Sequence, residues 1–418
     1  MPRAAVVTIG CRLNQSEGDG LRTLLQSQGN QVVTKVDWEL ENTEGATEDD
    51  FGEHPLDICI INTCAVTERA TRTSIKWIRR IARFKPKPRL IVTGCLAQVS
   101  AERLKRIPGV DEVITQTAKV KLIEKCSILP SRTRAFLKIQ DGCVNRCSYC
   151  LPARIRGDPV SKPIPMVEQE VKDLVANGYQ EIVLVGLNLG SYGFDLGQSL
   201  FELLEKLSKI TGAFRIRLGC LEPDGFDDRI LERFEEFRLC HHLHIPVQSG
   251  DNKILGMMQR KYTLIEYRAL IDKIVERIPG INLGTDLITG FPEEDGSSFN
   301  QTLAFIRDLP IGYLHVFPYS PRPGTTASKM KETVSPVQKK ERVNILRTLS
   351  REKSLDYRRR FMNKVVEVIT EPKHWLMADN YIRIFCHSRN NGKGSGKLAK
   401  ALITEVTIDR TFGEMAER

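Results

Sequence analysis

The chain has 418 residues, a length that predicts two or three domains. Hydrophobic residues make up 41% and charged residues 27% of it, which excludes a disordered chain and favours a globular protein with a real core. No stretch approaches the roughly 18 apolar residues that span a bilayer, and the apolar run within Met1–Gly10 is too short for a signal peptide. We therefore expect a cytoplasmic protein whose 11 cysteines serve metal binding, catalysis or packing instead of disulfides.

The net charge of +10 is unevenly distributed. From Pro321 to the end, 21 Lys and Arg oppose 11 Asp and Glu, a difference of +10, so the chain up to Ser320 is formally neutral. A basic terminal module on a neutral body favours a polyanionic partner, with tRNA or rRNA ahead of a membrane. A solvated basic helix explains the same charge equally well.

The N-terminal part of the chain, up to about Pro130, alternates between predicted strands and helices. Short apolar runs rich in Val and Ile predict buried strands at Ala4–Gly10, Leu56–Thr63 and Arg89–Gly94. Between the last two, Val66–Phe84 has the apolar spacing of a helix. Strand, helix and strand in this order predict a parallel sheet with a right-handed crossover, and the acidic stretch Glu39–His54 an exposed loop.

From about Arg132 to about Lys331, six predicted strands alternate with amphipathic helices. The strands are Ala135–Gln140, Glu181–Gly186, Phe214–Leu218, His242–Val247, Asn282–Ile288 and Tyr313–Tyr319. The helices are Met166–Asn177, Ser199–Ile210, Asp227–Phe237, Leu264–Ile278 and Phe299–Asp308. This alternation predicts an incomplete (β/α)6 barrel, a fold whose chemistry lies at the C-terminal ends of its strands.

The last quarter predicts one long basic helix, Ser335–Asn363, which begins at a Ser-Pro pair. A small β-rich tail follows, with strands at Val365–Thr370, Tyr381–Cys386 and Leu402–Ile408, and with a flexible basic loop at Asn390–Lys400. The predicted domains are residues 1–130, 131–358 and 359–418.

Cys143, Cys147 and Cys150 form a C-x3-C-x2-C motif directly after the first barrel strand. Three thiolates this close on a loop can each ligate one iron of a cubane cluster. The next cysteine, Cys220, lies far along the chain, so the motif leaves the fourth iron open. An open metal position binds a small molecule in catalytic sites, whereas structural sites close with a fourth protein ligand.

A second group, Cys11, Cys64 and Cys95, is dispersed in sequence, but each cysteine lies just past the end of a predicted strand. Parallel strands of one sheet end at the same edge, where open α/β sheets bind ligands. The pattern therefore predicts that the three thiols converge and hold a second cluster. The alternative is three buried structural cysteines.

The motif Cys143-Val-Asn-Arg-Cys147-Ser-Tyr149-Cys150 resembles the signature of the radical S-adenosylmethionine (SAM) superfamily. The resemblance implies that the open iron chelates the methionyl amine and carboxylate of SAM. An electron from the reduced cluster would then cleave SAM to a 5′-deoxyadenosyl radical. Tyr149 fills the aromatic position against which the family packs the adenine.

Gly10-Cys11-Arg-Leu-Asn14-Gln15, Asn62-Thr-Cys64-Ala-Val-Thr and Thr93-Gly-Cys95-Leu-Ala-Gln98 are similar to the N-terminal domain of the methylthiotransferases. Further matches along the barrel contain the residues implied to bind the cofactor, which are Gly186, Glu222, Gln248, Ser249 and Thr285. The basic tail resembles a TRAM domain, a small RNA-binding barrel. The resemblance covers nearly the whole chain and implies an α/β protein with an N-terminal methylthiotransferase domain, a radical-SAM barrel, a C-terminal β-barrel, two 4Fe-4S clusters and SAM.

Three branches of this family differ mainly in substrate. Cys64-Ala-Val-Thr and the Leu-Gly-Ser-Tyr-Gly stretch are most similar to the branch that modifies threonylcarbamoyl-adenosine in tRNA, converting adenine C2–H to C2–SCH3. The alternatives are isopentenyl-adenosine in tRNA and an aspartate of a small-subunit ribosomal protein. The implied partners are the tRNA anticodon stem-loop and a reductant such as flavodoxin or ferredoxin. A non-catalytic iron–sulfur RNA binder is a further alternative, which the open fourth iron position disfavours.

Some residues have both a functional and a structural interpretation. Arg154, Arg156, Lys393 and Lys397 are candidate tRNA contacts or solvated surface charges. Cys59, Cys126, Cys220, Cys240 and Cys386 are predicted to pack in the fold. His241, His242 and His244 cluster in sequence, but strand alternation places His241 on the opposite face from the other two, so a metal site there is the minor alternative.

Overall fold

The computed structural model describes residues 1–33, 55–123, 130, 132–386 and 395–416. Two compact units form within it. The first contains Met1–Arg132, Phe136–Lys138 and Cys150–Asp158, and the second contains Thr133–Ala135, Ile139–Tyr149 and Pro159–Arg418. No helix in the described ranges has both the length and the apolar content to cross a membrane.

A parallel sheet with the order β2-β1-β3-β4-β5 lies at the centre of the first unit. Its strands are β1 (Arg3–Thr8), β2 (Gln31–Val33), β3 (Ile58–Thr63), β4 (Arg89–Gly94) and β5 (Glu112–Val113). The helices are α1 (Arg12–Ser27), α2 (Glu68–Ile81), α3 (Cys95–Lys105), α4 (Gln116–Ile123) and α5 (Leu151–Arg156). The three predicted strands are confirmed. Helix α2 is shorter than predicted, because Thr67 Oγ1 accepts a hydrogen bond from Ala70 N and caps its first turn. The predicted acidic loop Glu39–His54 lies outside the described residues.

Six further strands form two three-stranded sheets, with the orders β6-β9-β10 and β11-β12-β13. Their bounds are β6 (Ala135–Lys138), β9 (Glu181–Val185), β10 (Arg215–Leu218), β11 (His242–His244), β12 (Asn282–Thr289) and β13 (Tyr313–Pro318), and a short antiparallel pair is formed by β7 (Gln140–Asp141) and β8 (Val160–Ser161). A parallel bridge between Cys220, beyond the end of β10, and His244, the last residue of β11, joins the two sheets. All six predicted strands are therefore present.

Helices follow most of these strands, as predicted. They are α6 (Ile164–Ala176), α7 (Leu200–Ser208), α8 (Arg229–Glu232), α9 (Asn252–Met257), α10 (Leu264–Arg277) and α11 (Gly296–Asp308). The prediction of a helix over Asp227–Phe237 was wrong in extent, since only α8 is helical there. Helix α9 was not predicted, and it begins because the Asp251 carboxylate accepts the backbone N–H groups of Lys253 and Ile254 at 2.7 and 3.2 Å.

The long predicted helix is present as α12 (Pro336–Arg359), which starts with a capping box between Ser335 and Gln338. A closed barrel with the order β14-β15-β16-β18-β17 follows. Its strands are β14 (Val365–Thr370), β15 (Trp375–Ala378), β16 (Arg383–Cys386), β17 (Leu398–Val406) and β18 (Thr411–Met415). The predicted loop Asn390–Lys400 is wrong at its end, because β17 begins at Leu398, opposite Ile369 of β14. Residues 387–394 lie outside the described ranges.

Two buried arginines connect the C-terminal barrel to β9 and β10. Arg215 and Arg217 both form ion pairs with the fully buried Glu181. Their other nitrogens donate to barrel carbonyls, from Arg215 Nη2 to Met377 O at 3.0 Å and from Arg217 Nη1 to Asp379 O at 2.8 Å. Burial alone would raise the pKa of Glu181, but the two guanidinium groups hold that pKa far below its usual value. Because of these bonds, the predicted boundary at residues 358 and 359 does not separate two compact units, and the three-domain division stays a prediction.

His241 supplies a pH-dependent part of the same connection. Its Nδ1 lies 2.9 Å from Asp379 Oδ2, and its Nε2 lies 3.0 Å from Glu235 Oε1. The hydrogen bond to Asp379 raises the pKa of His241 above its ordinary value. A raised pKa stabilises the fold fully below the unfolded-state pKa of about 6.5, and this contribution is lost as the pH rises through the folded-state pKa. We expect the urea midpoint of the wild type to fall from pH 6 to pH 9 by more than that of His241→Asn. Equal falls in the two proteins would contradict this assignment.

Candidate functional site

The cysteines Cys11, Cys64 and Cys95 meet at one edge of the first unit's sheet. In the parallel pairing of β3 with β4, Thr63 lies opposite Gly94, so the next residues, Cys64 and Cys95, leave the sheet side by side. Cys11 is the N-cap residue of α1 beyond the end of β1. All three cysteines thus follow strands that end at one edge of the sheet, as predicted. That their sulfurs converge on one cluster stays a prediction.

The chemistry of this donor set fits an iron–sulfur cluster. Cys64 and Cys95 are only 3% exposed, while Cys11 is exposed, so the site has a buried floor and an open side. Burial, reinforced by the two neighbouring thiols, raises the pKa of Cys64 to about 12. Such thiols lose their protons when a metal binds, because the cation compensates the buried negative charge.

Close packing at Gly10 holds Cys64 in this place. Gly10 has φ +110°, and a Cβ atom at this position would lie 2.8 Å from both Cβ and Sγ of Cys64. Only glycine adopts this conformation without strain and leaves the sulfur its space.

A buried ion cluster lies beside the cysteines. The Glu17 carboxylate accepts hydrogen bonds from Lys119 Nζ at 2.6 Å, Lys138 Nζ at 2.9 Å and Arg156 Nη1 at 2.9 Å. Arg156 also donates to Cys95 Sγ at 3.7 Å, and its side chain is 1% exposed. The interpretation of Arg156 as a tRNA contact was therefore wrong, because its guanidinium is buried and bonded to the Glu17 carboxylate and to Cys95 Sγ.

Removing the charge of Glu17 should destabilise the first unit strongly. Burial would raise the pKa of Glu17, but Arg156, Lys119 and Lys138 outweigh it and hold the pKa well below the usual value. Glu17→Gln leaves these buried cations uncompensated, which costs about 3–5 kcal/mol in such cases. The matched control is Glu68→Gln, which breaks an exposed pair with Arg72 and should cost about 0–1 kcal/mol. Urea unfolding of both variants measures the difference, and similar losses would contradict the role of Glu17.

The second cysteine group begins in the loop after β7. Cys143 and Cys147 are buried, and burial raises the pKa of both thiols. Asn145 N donates to Cys143 Sγ at 3.3 Å, and Arg260 Nη1 donates to Cys147 Sγ at 3.3 Å. Cys150 is half-buried at the N-cap of α5. Hydrogen bonds to sulfur favour thiolates and tune the potential of a cluster, so this loop also fits one.

Three of the residues implied to bind the cofactor lie near this loop within the second unit. Glu222 is paired with Arg260, the residue that contacts Cys147, and burial raises the pKa of Glu222 against the effect of Arg260. Tyr149 packs edge-on to Phe291, with ring centroids 6.5 Å apart. At Gly186 a Cβ atom would lie 2.7 Å from Gln140 Oε1, so glycine is required there.

The other three residues implied to bind the cofactor form hydrogen bonds within the fold. The Thr285 hydroxyl, fully buried, donates to Ile245 O at 2.7 Å and accepts from Val247 N at 2.8 Å. Ser249, 1% exposed, accepts from Asp251 N at 3.3 Å. Gln248 is 8% exposed, and its backbone continues the pairing with β12 at φ +66°. The hydroxyls of Thr285 and Ser249 thus form hydrogen bonds within the fold, and the interpretation of these residues as cofactor contacts stays a prediction.

Sequence reasoning missed a polar chain that runs across β11, β12 and β13. The Tyr313 hydroxyl lies 2.8 Å from His242 Nε2 and 3.2 Å from His244 Nδ1. Asp286 Oδ1 then accepts from His244 Nε2 at 2.9 Å and from His315 Nδ1 at 3.2 Å. These contacts confirm that His242 and His244 share a face. Asp286 and His315 lie opposite each other in the parallel pairing of β12 with β13, a register that the predicted strand ranges do not give.

Asp286 is the charged centre of this polar chain. Burial favours its neutral acid, but His244 and His315 hold the pKa of Asp286 below its usual range. His315 is half-exposed at the outer end of the chain.

Most of the remaining cysteines pack as predicted. Cys59 and Cys386 are completely buried in the hydrophobic cores of the sheet and the C-terminal barrel, and Cys240 is 2% exposed. Cys220 is half-buried, and Cys126 lies outside the described residues, as does Lys393. Arg154 and Lys397 are exposed, and their interpretation as tRNA contacts stays a prediction.

Two family models match the chain. The radical SAM superfamily model matches residues 137–306, and the model of the uncharacterized protein family UPF0004 matches residues 38–116. The first contains the Cys143–Cys150 motif, and the second contains Cys64 and Cys95. These matches define the chain as a radical SAM protein with an iron–sulfur cluster and SAM as cofactors.

Curated relatives give the narrower family. The chain is 34% identical to threonylcarbamoyladenosine tRNA methylthiotransferase MtaB of Aquifex aeolicus, over 96% of this chain and 100% of the relative. It is 33% identical to MtaB of Bacillus subtilis, over 99% and 96%. It is also 33% identical to tRNA-2-methylthio-N(6)-dimethylallyladenosine synthase of Dehalococcoides mccartyi, over 89% and 88%. The chain belongs to the methylthiotransferase family of radical SAM enzymes, and among these relatives the MtaB proteins match it over the greatest length.

Solved structures agree with the fold. The radical SAM methyltransferase TsrM from Kitasatospora setae, solved with cobalamin and a [4Fe-4S] cluster, superposes with a TM-score of 0.57. The alignment covers 78% of this chain and 77% of that chain at 14% identity, a level that supports a shared fold alone.

Proposed function

We propose that the chain methylthiolates N6-threonylcarbamoyl-adenosine beside the anticodon of tRNA, replacing the C2 hydrogen of adenine with SCH3. The observation that carries the proposal is the match to MtaB over 96% of this chain and all of the relative. Two cysteine groups on one chain suit a reaction that must both remove a hydrogen atom and supply sulfur.

We assign Cys143, Cys147 and Cys150 to one 4Fe-4S cluster and Cys11, Cys64 and Cys95 to a second. Bound there with SAM, the clusters would supply a 5′-deoxyadenosyl radical and a held, methylated sulfur, with electrons from a reductant protein such as flavodoxin or ferredoxin. Arg260 donates to Cys147 Sγ and pairs with Glu222, where it opposes the rise in the pKa of Glu222 that burial causes. Glu222 is thereby the side chain placed to accept hydrogen bonds from the cofactor, and Tyr149 offers an aromatic face for its adenine.

The residues at the cysteine edge have a positioning role. Gly10 lets Cys64 approach, and Arg156 donates to Cys95 while its charge is balanced by Glu17. The exposed Cys11 marks the open side, which is where a nucleobase would enter. An anticodon loop offers such a base at a small free-energy cost, because its nucleotides are already unpaired.

The C-terminal barrel is assigned to RNA binding on its resemblance to a TRAM domain. Its closed five-stranded form supports this assignment.

A second candidate substrate is isopentenyl-adenosine, favoured by the Dehalococcoides mccartyi relative. Anticodon stem-loops that carry threonylcarbamoyl-adenosine or isopentenyl-adenosine should be offered in equal amounts to the reconstituted enzyme with SAM and dithionite. We expect methylthio product from the first, measured by nucleoside mass spectrometry. Product from isopentenyl-adenosine alone would move the enzyme to the other branch.

A further inference from the structure

Helix α2 of the first unit presents a strongly basic face. Averaged over the chain up to Ser320 the charge cancels, but the segment from Glu68 to Arg106 contains 12 Lys and Arg and 2 Asp and Glu, a net charge of +10. This segment therefore has the same net charge as residues 321–418, although the chain up to Ser320 is neutral overall.

The cations lie on one side of the helix. Ser74, Trp77, Ile78 and Ile81 form the buried side of α2. The basic face consists of five residues spaced at helical intervals and one residue of α3. They are Arg72, Lys76, Arg79, Arg80, Arg83 and, from α3, Arg103. These side chains line a groove of about 840 Å³ with an apolar floor that includes Ile75.

Most of these charges are not neutralised by the protein. Arg72 pairs with Glu68, and Arg80 lies over the Trp77 ring. Lys76, Arg79, Arg83 and Arg103 are exposed, and none of them has a carboxylate within 4.0 Å in the part of the chain that the structure describes. By contrast, Lys87, Arg89 and Lys105 nearby each have an acidic partner. Unpaired like charges repel one another and destabilise the fold, which suits a surface that meets a polyanion.

The basic face starts at the cysteine edge. Cys64 N and O both contact the Ser74 hydroxyl, at 3.2 and 3.4 Å, so the first turns of α2 lie beside the site. From Arg72 the face leads away from that edge for about 16 Å to Arg83, at about 1.5 Å per residue. An RNA arm with its target base at the cysteines would lay its backbone along this line. Arginine dominates the face, and its planar guanidinium suits phosphate.

We propose that the basic face of α2 and α3 binds the phosphate backbone of the tRNA whose adenosine enters at the cysteine edge. The proposal rests on the proposed function, and it adds a second RNA contact to the one assigned to the C-terminal barrel. The face recognises charge and shape, not sequence, so it should bind tRNA with or without the modified adenosine.

The test is the salt dependence of tRNA binding by the full-length protein. In the triple variant Lys76→Gln, Arg79→Gln, Arg83→Gln, the slope of log Kd against log salt should fall by about 2, from about 0.7 per lost phosphate contact. Affinity at about 0.15 M salt should fall more than roughly tenfold. The matched control is Lys87→Gln, Arg89→Gln, Lys105→Gln, which removes the same charge from paired positions and should change the slope by less than about 1.

Each result of the salt-dependence experiment supports or overturns the proposed tRNA contact. A slope unchanged in the first variant, or lowered equally in both, overturns the proposal. If the first variant keeps its tRNA affinity but loses binding to an acidic flavodoxin, the face serves a protein partner instead. A wild-type protein that binds no tRNA at any salt would refute the proposed function itself. Equal melting temperatures of the three proteins exclude misfolding as the cause.

Discussion

Replacing Cys143 with alanine is expected to reduce SAM cleavage to that of a reaction without enzyme. The motif supplies three thiolates, and two cannot hold a cubane whose fourth iron must stay open. Asn145 N and Arg260 already stabilise the sulfurs of Cys143 and Cys147, so the local loop is built around this charge. The 5′-deoxyadenosine formed from SAM with dithionite is the measurement, with protein-bound iron alongside it.

Cys240→Ala is the matched control for Cys143→Ala. Cys240 lies in the same compact unit and is 2% exposed, and burial raises the pKa of its thiol to about 12. Its replacement should leave iron content and cleavage unchanged. If cleavage survives in Cys143→Ala, the assignment of this motif to the SAM-cleaving cluster is wrong.

Cys64→Ala should abolish sulfur insertion and leave SAM cleavage intact. SAM cleavage continues because the Cys143 motif is intact, but no sulfur enters the tRNA. Cys64 is 3% exposed and is packed against Gly10, so its replacement acts at the centre of the proposed ligand group. Methylthio-nucleoside and 5′-deoxyadenosine are measured in the same reaction, so that loss of the first without the second identifies the role.

Cys59→Ala tests whether this loss is specific. Cys59 belongs to the same strand, β3, and is completely buried in its core. The substitution should lower the free energy of unfolding, because it leaves a small cavity, and it should leave sulfur insertion intact. Sulfur insertion that persists in Cys64→Ala would show that the three-cysteine edge is not the sulfur site.

The cysteine edge could be predicted because its signals are local. Short Val- and Ile-rich runs predict buried parallel strands, and a cysteine directly after each run fixes its side of the sheet. Only the pairing of Thr63 with Gly94 had to be supplied by the structure. The loop motif was also local, since Cys143, Cys147 and Cys150 are separated by a few residues.

Arg156 could not be predicted in the same way. It stands beside Gly157 in a short polar stretch that is typical of an exposed loop. Its partner Glu17 is 139 positions away, and Lys119 joins the pair from a third place in the sequence. Buried ion clusters of this kind depend on tertiary packing, for which periodicity carries no signal.

Thr285 shows a second limit. Its place within a strand was predicted, since β12 spans Asn282–Thr289, but the partners of its hydroxyl were not. That hydroxyl bonds within the fold to Ile245, and the neighbouring Asp286 carboxylate, on the opposite face of the strand, contacts His244 and His315. A resemblance over a motif identifies the segment, but it does not give the contacts of each side chain.

Nucleosides from total tRNA of cells with and without this gene test the central claim most directly. We predict that the methylthio form of threonylcarbamoyl-adenosine disappears with the gene and that its unmethylthiolated precursor accumulates. A gene copy encoding Cys59→Ala should restore it, and a copy encoding Cys64→Ala should not. If the methylthio form of threonylcarbamoyl-adenosine persists without the gene while that of isopentenyl-adenosine is lost, or if all tRNA nucleosides are unchanged, the assigned substrate is contradicted.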